Sequence, residues 1–325
     1  MILVVKRQLK HGGMWKRLPK KRGLSACLLL LLYSTISYAQ FEPQFTQFMF
    51  NEMFINPAYA GSRKCLSVAG TYRNQWVGME GAPKTQTFSM HSPINKRRIA
   101  LGFSLMNEEI GVTSDLSFFG TYAYRIPIGK GSFSMAANGG LIYHQEKLPE
   151  LNVGTFGDYA FMGVPRLTAP NAGFGTWFNT DDWYVGLSVP RMLQNRVDPA
   201  TGRPLNKINV EIWHYYLMGG YVFPLNDILD LRTTCMVKAV SGAPVLADIG
   251  AHLRFYKHFW LGGSYRTADS WSALFQLQVN KQLRIGYSYD YTLTELRNFN
   301  SGTHEITLGI DFSLDKVKEV SMRNF

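Results

Sequence analysis

The sequence predicts an all-β chain, a transmembrane antiparallel β-barrel of about 14 strands preceded by a short N-terminal arm or helix. Three observations carry that expectation. Past residue 39 no apolar run approaches the roughly 20 residues of a membrane-spanning helix, although the chain holds 21 Phe, 17 Tyr, 7 Trp and 30 Gly and is only 18% charged. Segments with period-two alternation recur along the whole length. The connections between them alternate in length, short at one rim and longer at the other, as outer-membrane barrels show. A secreted array of β-sandwiches would fit the alternation alone. In lipid, however, only a closed sheet pairs every backbone polar group.

The first 39 residues read as an address. Lys16, Arg17, Lys20, Lys21 and Arg22 form a positive region, Leu24 to Ile36 is a run of small and apolar residues, and Ser37-Tyr38-Ala39 offers a signal-peptidase site. Cleavage after Ala39 is expected, and a start at Met14 would give a more ordinary signal. Leu24-Ser25-Ala26-Cys27 resembles a lipoprotein processing box but stands at the head of the apolar run instead of after it, which argues against lipidation at Cys27. The first 39 residues hold eight basic side chains and no acidic one, so the formal charge of +11 falls by eight to +3. The remaining basic residues are scattered, and no nucleic-acid face is expected. Cys65 and Cys235 sit in a compartment that permits a disulfide, and sequence leaves their pairing open.

Between Gln40 and Asn56, Phe45, Phe48, Met49 and Met53 fall at helical spacing, Pro43 suits a first turn and Pro57 stops continuation. The reading is a short apolar-faced helix, with an extended aromatic arm packed on the barrel as the alternative. Strands are then predicted at Leu66 to Trp76, Thr85 to Ser92, Ile99 to Asn107, Leu116 to Ile126, Ser132 to Tyr143, Ala172 to Phe178 and Trp183 to Val189. They continue at Glu211 to Phe223, Asp230 to Val240, Val245 to Tyr256, Phe259 to Tyr265, Trp271 to Val279, Leu283 to Tyr291 and His304 to Leu314. The predicted number is even, as single-chain bacterial barrels require. The long connections are His144 to Asn171 and Pro190 to Val210.

In the segment Val245 to Tyr256, the apolar positions Val245, Ala247, Ile249, Ala251, Leu253 and Phe255 alternate with a set containing Asp248, His252 and Arg254 that is too polar for lipid. Trp213, Trp260, Trp271, Tyr289 and Tyr291 fall near strand ends, where interfacial girdles are expected. In the last segment Thr307, Gly309, Phe312 and Leu314 have the polar, glycine, apolar, apolar spacing of a closing barrel strand. The chain thus divides into a signal peptide (1–39), a periplasmic or lumen-filling arm (40–62), an outer-membrane barrel (63–314) and a periplasmic tail (315–325).

Phe45-Thr-Gln-Phe-Met-Phe-Asn51, Asn56-Pro-Ala-Tyr-Ala-Gly61, Tyr72-Arg-Asn-Gln-Trp-Val-Gly78 and Gly81-Ala-Pro-Lys-Thr-Gln86 resemble the opening of the PorP/SprF family. Phe259-Trp-Leu-Gly-Gly-Ser-Tyr-Arg266, Val279-Asn-Lys-Gln-Leu-Arg-Ile-Gly286 and Ser301-Gly-Thr-His-Glu305 resemble its closing strands. Met322-Arg-Asn-Phe325 departs from the Pro-Arg-aromatic-Phe ending of many members. The resemblance implies a non-catalytic outer-membrane component of the Bacteroidetes type IX secretion system, serving protein secretion and gliding motility. Its implied partners are secretion-machine components, the C-terminal domain of a secreted adhesin, and outer-membrane lipid. The alternative is an outer-membrane transport channel for small solutes.

Candidate partner-binding residues follow from three surfaces. They are Phe45, Phe48, Phe50, Asn56, Pro57 and Gly61 in the arm, Gln75, Trp76, Gly81 and Pro83 in the first outer loop, and Phe325 in the tail. Trp76 has a second reading as an interfacial anchor. No catalytic, cofactor-binding or metal residue is expected. His91, His144, His214, His252, His258 and His304 are dispersed without metal spacing, and no nucleophile motif supports a grouping of His304 with Asp290 or Ser301.

Overall fold

The computed structural model describes residues 42–94, 98–150, 165–197 and 204–313. The expected signal peptide (1–39), the tail (315–325) with Phe325, and Leu314 lie outside the described residues. Fourteen strands form one closed antiparallel barrel, which excludes the sandwich. The first half comprises β1 (Leu66–Asn74), β2 (Lys84–Ile94), β3 (Ile99–Ile110), β4 (Thr113–Ile128), β5 (Gly131–Glu146), β6 (Arg166–Asn179) and β7 (Trp183–Val189). A separate hairpin, β8 (Leu193–Val197) with β9 (Pro204–Ile208), stands in the long connection after β7. The barrel resumes with β10 (Tyr215–Pro224), β11 (Leu229–Ala239), β12 (Leu246–Phe255), β13 (Phe259–Arg266), β14 (Ser270–Gln278), β15 (Leu283–Thr292) and β16 (Thr303–Phe312).

Closure is made by β16 lying against β1, from Leu66 opposite Phe312 to Asn74 opposite His304. At the seam Thr307 faces Thr71, their hydroxyls 3.2 Å apart, Gly309 lies opposite Ala69, and Phe312 turns outward. Among the described residues, five connections are short turns at one rim: 129–130, 180–182, 225–228, 256–258 and 279–282. The other rim carries longer loops, including 75–83 and 293–302. In barrels of this kind the short turns face the periplasm.

Period-two alternation gives this wall its two solvents. On β12, Asp248, Gly250, His252 and Arg254 are buried inward while Ile249 is 56% exposed on the outer face. On β16, Glu305, Thr307, Gly309 and Asp311 point in, and Ile306, Leu308 and Ile310 point out. An apolar exterior around a polar interior suits hydrocarbon outside and a hydrated or ion-paired filling inside.

Three expectations change, and one question left open is answered. The helix over Gln40 to Asn56 is instead a chain of 3-10 turns, at Phe48–Phe50, Glu52–Phe54 and Pro57–Tyr59. Side chains of the barrel wall take up backbone groups of this segment, competing with a regular helical ladder. The strand expected from Glu211 begins at Tyr215, because Val210–Ile212 forms a 3-10 turn capped by Asn209. Trp260 is only 7% exposed and faces the lumen, and Trp213 lies in the loop before β10, where its indole N–H donates to Met192 O at 2.8 Å, so neither belongs to a lipid girdle. Cys65 and Cys235 are both free thiols, the first buried and the second exposed on β11.

Candidate functional site

An arm fills the barrel, and charges on the inward phase of the strands hold it there. The described chain begins at the long-loop rim, where the Glu42 carboxylate accepts from the Tyr216 hydroxyl at 3.0 Å and lies 3.8 Å from His214 and 4.0 Å from Arg191. Burial opposes its ionisation, but Arg191, His214, Lys238 and the Tyr216 hydroxyl outweigh burial and hold the carboxyl below its ordinary value.

One turn further the arm meets β1, β15 and β16. Both oxygens of Glu305 accept backbone N–H groups, from Gln47 at 2.8 Å and Thr46 at 2.9 Å, and the Thr46 hydroxyl donates to Asp290 at 2.7 Å. Arg73 holds this corner together, 2.8 Å from Glu305 and 2.9 Å from Asp290. Arg266, paired with Asp248 at 2.9 Å, donates to Phe45 O at 3.3 Å. The arm then crosses the lumen. Arg232 on β11 donates to Met49 O at 3.2 Å and lies 3.5 Å from Glu52, while Phe50 meets Trp260 edge-on.

On the far wall Asn56 is seated between β6 and β7. Its amide donates to Thr176 O at 2.9 Å, and its carbonyl accepts Ala58 N–H at 3.0 Å, capping the last 3-10 turn. Gly175 and Gly186 make the seat, since a Cβ at either would come within 2.2 and 2.7 Å of the Asn56 side chain. Below it Tyr59 packs edge-on to Trp177 and His91, and Gly61 turns at φ +76° where a Cβ would meet Ala100 at 2.4 Å. Arg63 pairs with Asp311 at 2.7 Å near the short-turn rim, and β1 begins. The arm therefore runs the height of the lumen, entering at the long-loop rim.

Packing is not uniform around it. Between the arm and the β3–β6 wall lie a cavity of about 50 Å³, floored by Met53, Phe54, Met106 and Phe119, and above it one of about 500 Å³ at the long-loop rim. Both touch Glu42 and Arg191. In the upper cavity His144 is held between Asp115 at 2.6 Å and Glu146 at 3.2 Å. Among the described residues no group of His, Cys, Asp or Glu forms a metal site.

The candidate residues separate into two sets. Phe48, Phe50, Asn56, Pro57 and Gly61 are buried and Phe45 is half-buried, all inside this chain's own barrel. As the arm sits, they face the wall of this chain's own barrel, on the polar seats prepared for their backbone. Gln75, Trp76, Gly81 and Pro83 instead form the first loop of the long-loop rim. There Trp76 N–H donates to Thr303 Oγ1 at 3.1 Å, Gly81 is exposed and Pro83 is buried. His304 and Asp290 lie on opposite faces of the wall, His304 bonded outside to the Tyr287 hydroxyl and Asp290 inside to Thr46. They make no catalytic group together.

Local patterning missed Glu42, Thr46, Arg73, Asp290 and Glu305 as the residues that seat the arm. The available signal was phase. Arg73, Arg254, Arg266, Arg284, Asp248, Asp290, Glu305 and Asp311 all occupy inward positions, and so many charges in one lumen require partners.

A family model described as Type IX secretion system membrane protein PorP/SprF matches residues 37–310. No curated protein matches the chain. Solved structures similar to it include the Acinetobacter baumannii outer membrane protein Omp33, 8% identical with a TM-score of 0.46, the match covering 77% of this chain and 98% of that one. A Pseudomonas aeruginosa FadL homologue is 12% identical with a TM-score of 0.44, covering 86% and 96%. The CymD monoaromatic hydrocarbon channel is 10% identical with a TM-score of 0.47, covering 76% and 88%.

Proposed function

The chain belongs to the PorP/SprF family of type IX secretion system membrane proteins, and from that membership we propose that it acts in the outer membrane as a non-catalytic scaffold. It tethers secretion-machine components, or the C-terminal domain of a surface adhesin, to the barrel. Recognition is the mechanism, with the long-loop rim as the contact face. Gln75, Trp76 and Gly81 contribute to that face from the first loop.

The observation that carries this reading is the filled lumen. Glu305, Asp290 and Arg73 bind the arm at one wall and Asn56 anchors it at the other. A solute channel needs a continuous path, and the arm crosses the lumen from Glu42 to Arg63. The test is cross-linking in intact cells followed by isolation of the tagged chain from outer membrane. Recovery of type IX secretion components or an adhesin is the expected result, and recovery of neither removes the proposal.

A further inference from the structure

The two cavities beside the arm have the character of a built site. The lower one has an apolar floor, and two polar atoms in its wall have no partner: the hydroxyl of Ser117, a residue 2% exposed, and Asn138 Oδ1. Burying such groups unpaired is unfavourable, so the pocket suits an occupant that offers hydrogen bonds as well as apolar surface. An acceptor at Asn138 and a hydroxyl at Ser117 match the N–H and C=O of a peptide backbone, whereas a hydrocarbon tail would leave both unpaired.

The charges at the mouth sharpen the choice. Glu42 is occupied by Tyr216, Arg191 and His214, and Asp115 and Glu146 are both engaged by His144. Arg166, exposed on the cavity wall, has no carboxylate partner among the described residues, and Arg191 reaches Glu42 only at 4.0 Å through Nε. The mouth therefore presents one cation, Arg166, without a carboxylate partner among the described residues, above an apolar floor. Upper-cavity residues Ile142, Leu167, Ala169 and Ile212 add apolar wall between the two.

We propose that this crevice, between the arm and strands β3 to β6, binds an extended peptide segment of a partner protein. An apolar side chain occupies the floor formed by Met53, Phe54, Met106 and Phe119, and an acidic side chain lies against Arg166. The segment's backbone completes the hydrogen bonding of Ser117 and Asn138. The inference rests on the scaffold reading above, and names the kind of partner surface the long-loop rim accepts.

The test uses the full chain in detergent with fluorescein-labelled pentapeptides, each combining two leucines and a phenylalanine with either two glutamates or two lysines. Fluorescence anisotropy is expected to show the glutamate peptide binding about tenfold more tightly than the lysine peptide. Arg166→Glu, at an exposed rim position, removes or reverses that preference, and Ser117→Leu fills the floor and weakens both peptides. Equal binding of the two peptides, or an unchanged preference in Arg166→Glu, overturns the proposal. Displacement of the peptide by dodecanoate also overturns it, in favour of a fatty amphiphile. If Ser117→Leu does not assemble, the Arg166→Glu result decides alone. Secretion components that still cross-link to a chain showing no peptide preference would remove the crevice and leave the scaffold standing.

Discussion

The two walls of the lumen hold the same arm in different ways. Along β1, β15 and β16 the contact is polar and close, with Glu305 taking two backbone N–H groups and Arg73 binding both Glu305 and Asp290. Along β3 to β5 the same arm offers Met53 and Phe54 to a wall that leaves a void. A plug needs only one strongly specified wall to be positioned. The second wall is then free to keep space. Asn56, lodged against Gly175 and Gly186, marks where the looser side tightens again.

The largest expected effect breaks the tight wall. Arg73→Ala leaves Asp290 and Glu305 buried without their shared cation, a loss of about 3–5 kcal/mol. Urea unfolding in detergent, followed by tryptophan fluorescence, should show that decrease, with the arm becoming sensitive to protease. A change under about 1 kcal/mol, in the range of a surface ion pair, would mean that the ionic corner does not seat the arm. Next comes Asn56→Ala, which removes the bond to Thr176 O and the cap on Ala58. It is expected to cost about 1–3 kcal/mol by the same measurement.

On the loose wall the contrast predicts a smaller loss. Met106 lines an existing void, so Met106→Ala should cost about 2 kcal/mol, at the bottom of the range for emptying a packed core. A cost near the top of that range would show the void to be tightly closed around the side chain. The smallest effect concerns pH. Because the Glu42 carboxyl is lowered from its ordinary value of 4.5, its contribution is fully present above that value and is lost as pH falls through the lowered one. Acid titration of arm release should shift to higher pH in Tyr216→Phe, which removes one hydrogen bond to the charged form. An unchanged titration would place the acid-sensitive step elsewhere.

Strand positions were legible because alternation is local. From Leu66 to Phe312 each expected strand has its counterpart, and closure could be read from Thr307, Gly309 and Phe312 lying opposite β1. The arm's conformation was not, since the groups that shape it lie far away in sequence. Glu305 bonds Thr46 across 259 positions, and no window of helical spacing contains that carboxylate. Trp260 illustrates a similar limit. Its place near a strand end suggested a lipid girdle, but its phase on β13 turns it inward to Phe50. The β8–β9 hairpin escaped notice inside a connection judged only by its length.

The filled lumen is the central claim, and single-channel recording in planar bilayers tests it most directly. The intact chain should carry no steady open-pore current, and a chain lacking residues 43–56 but still assembled should conduct. A large constitutive conductance from the intact protein would contradict the account, because the arm could not then occupy the bore it is described as filling.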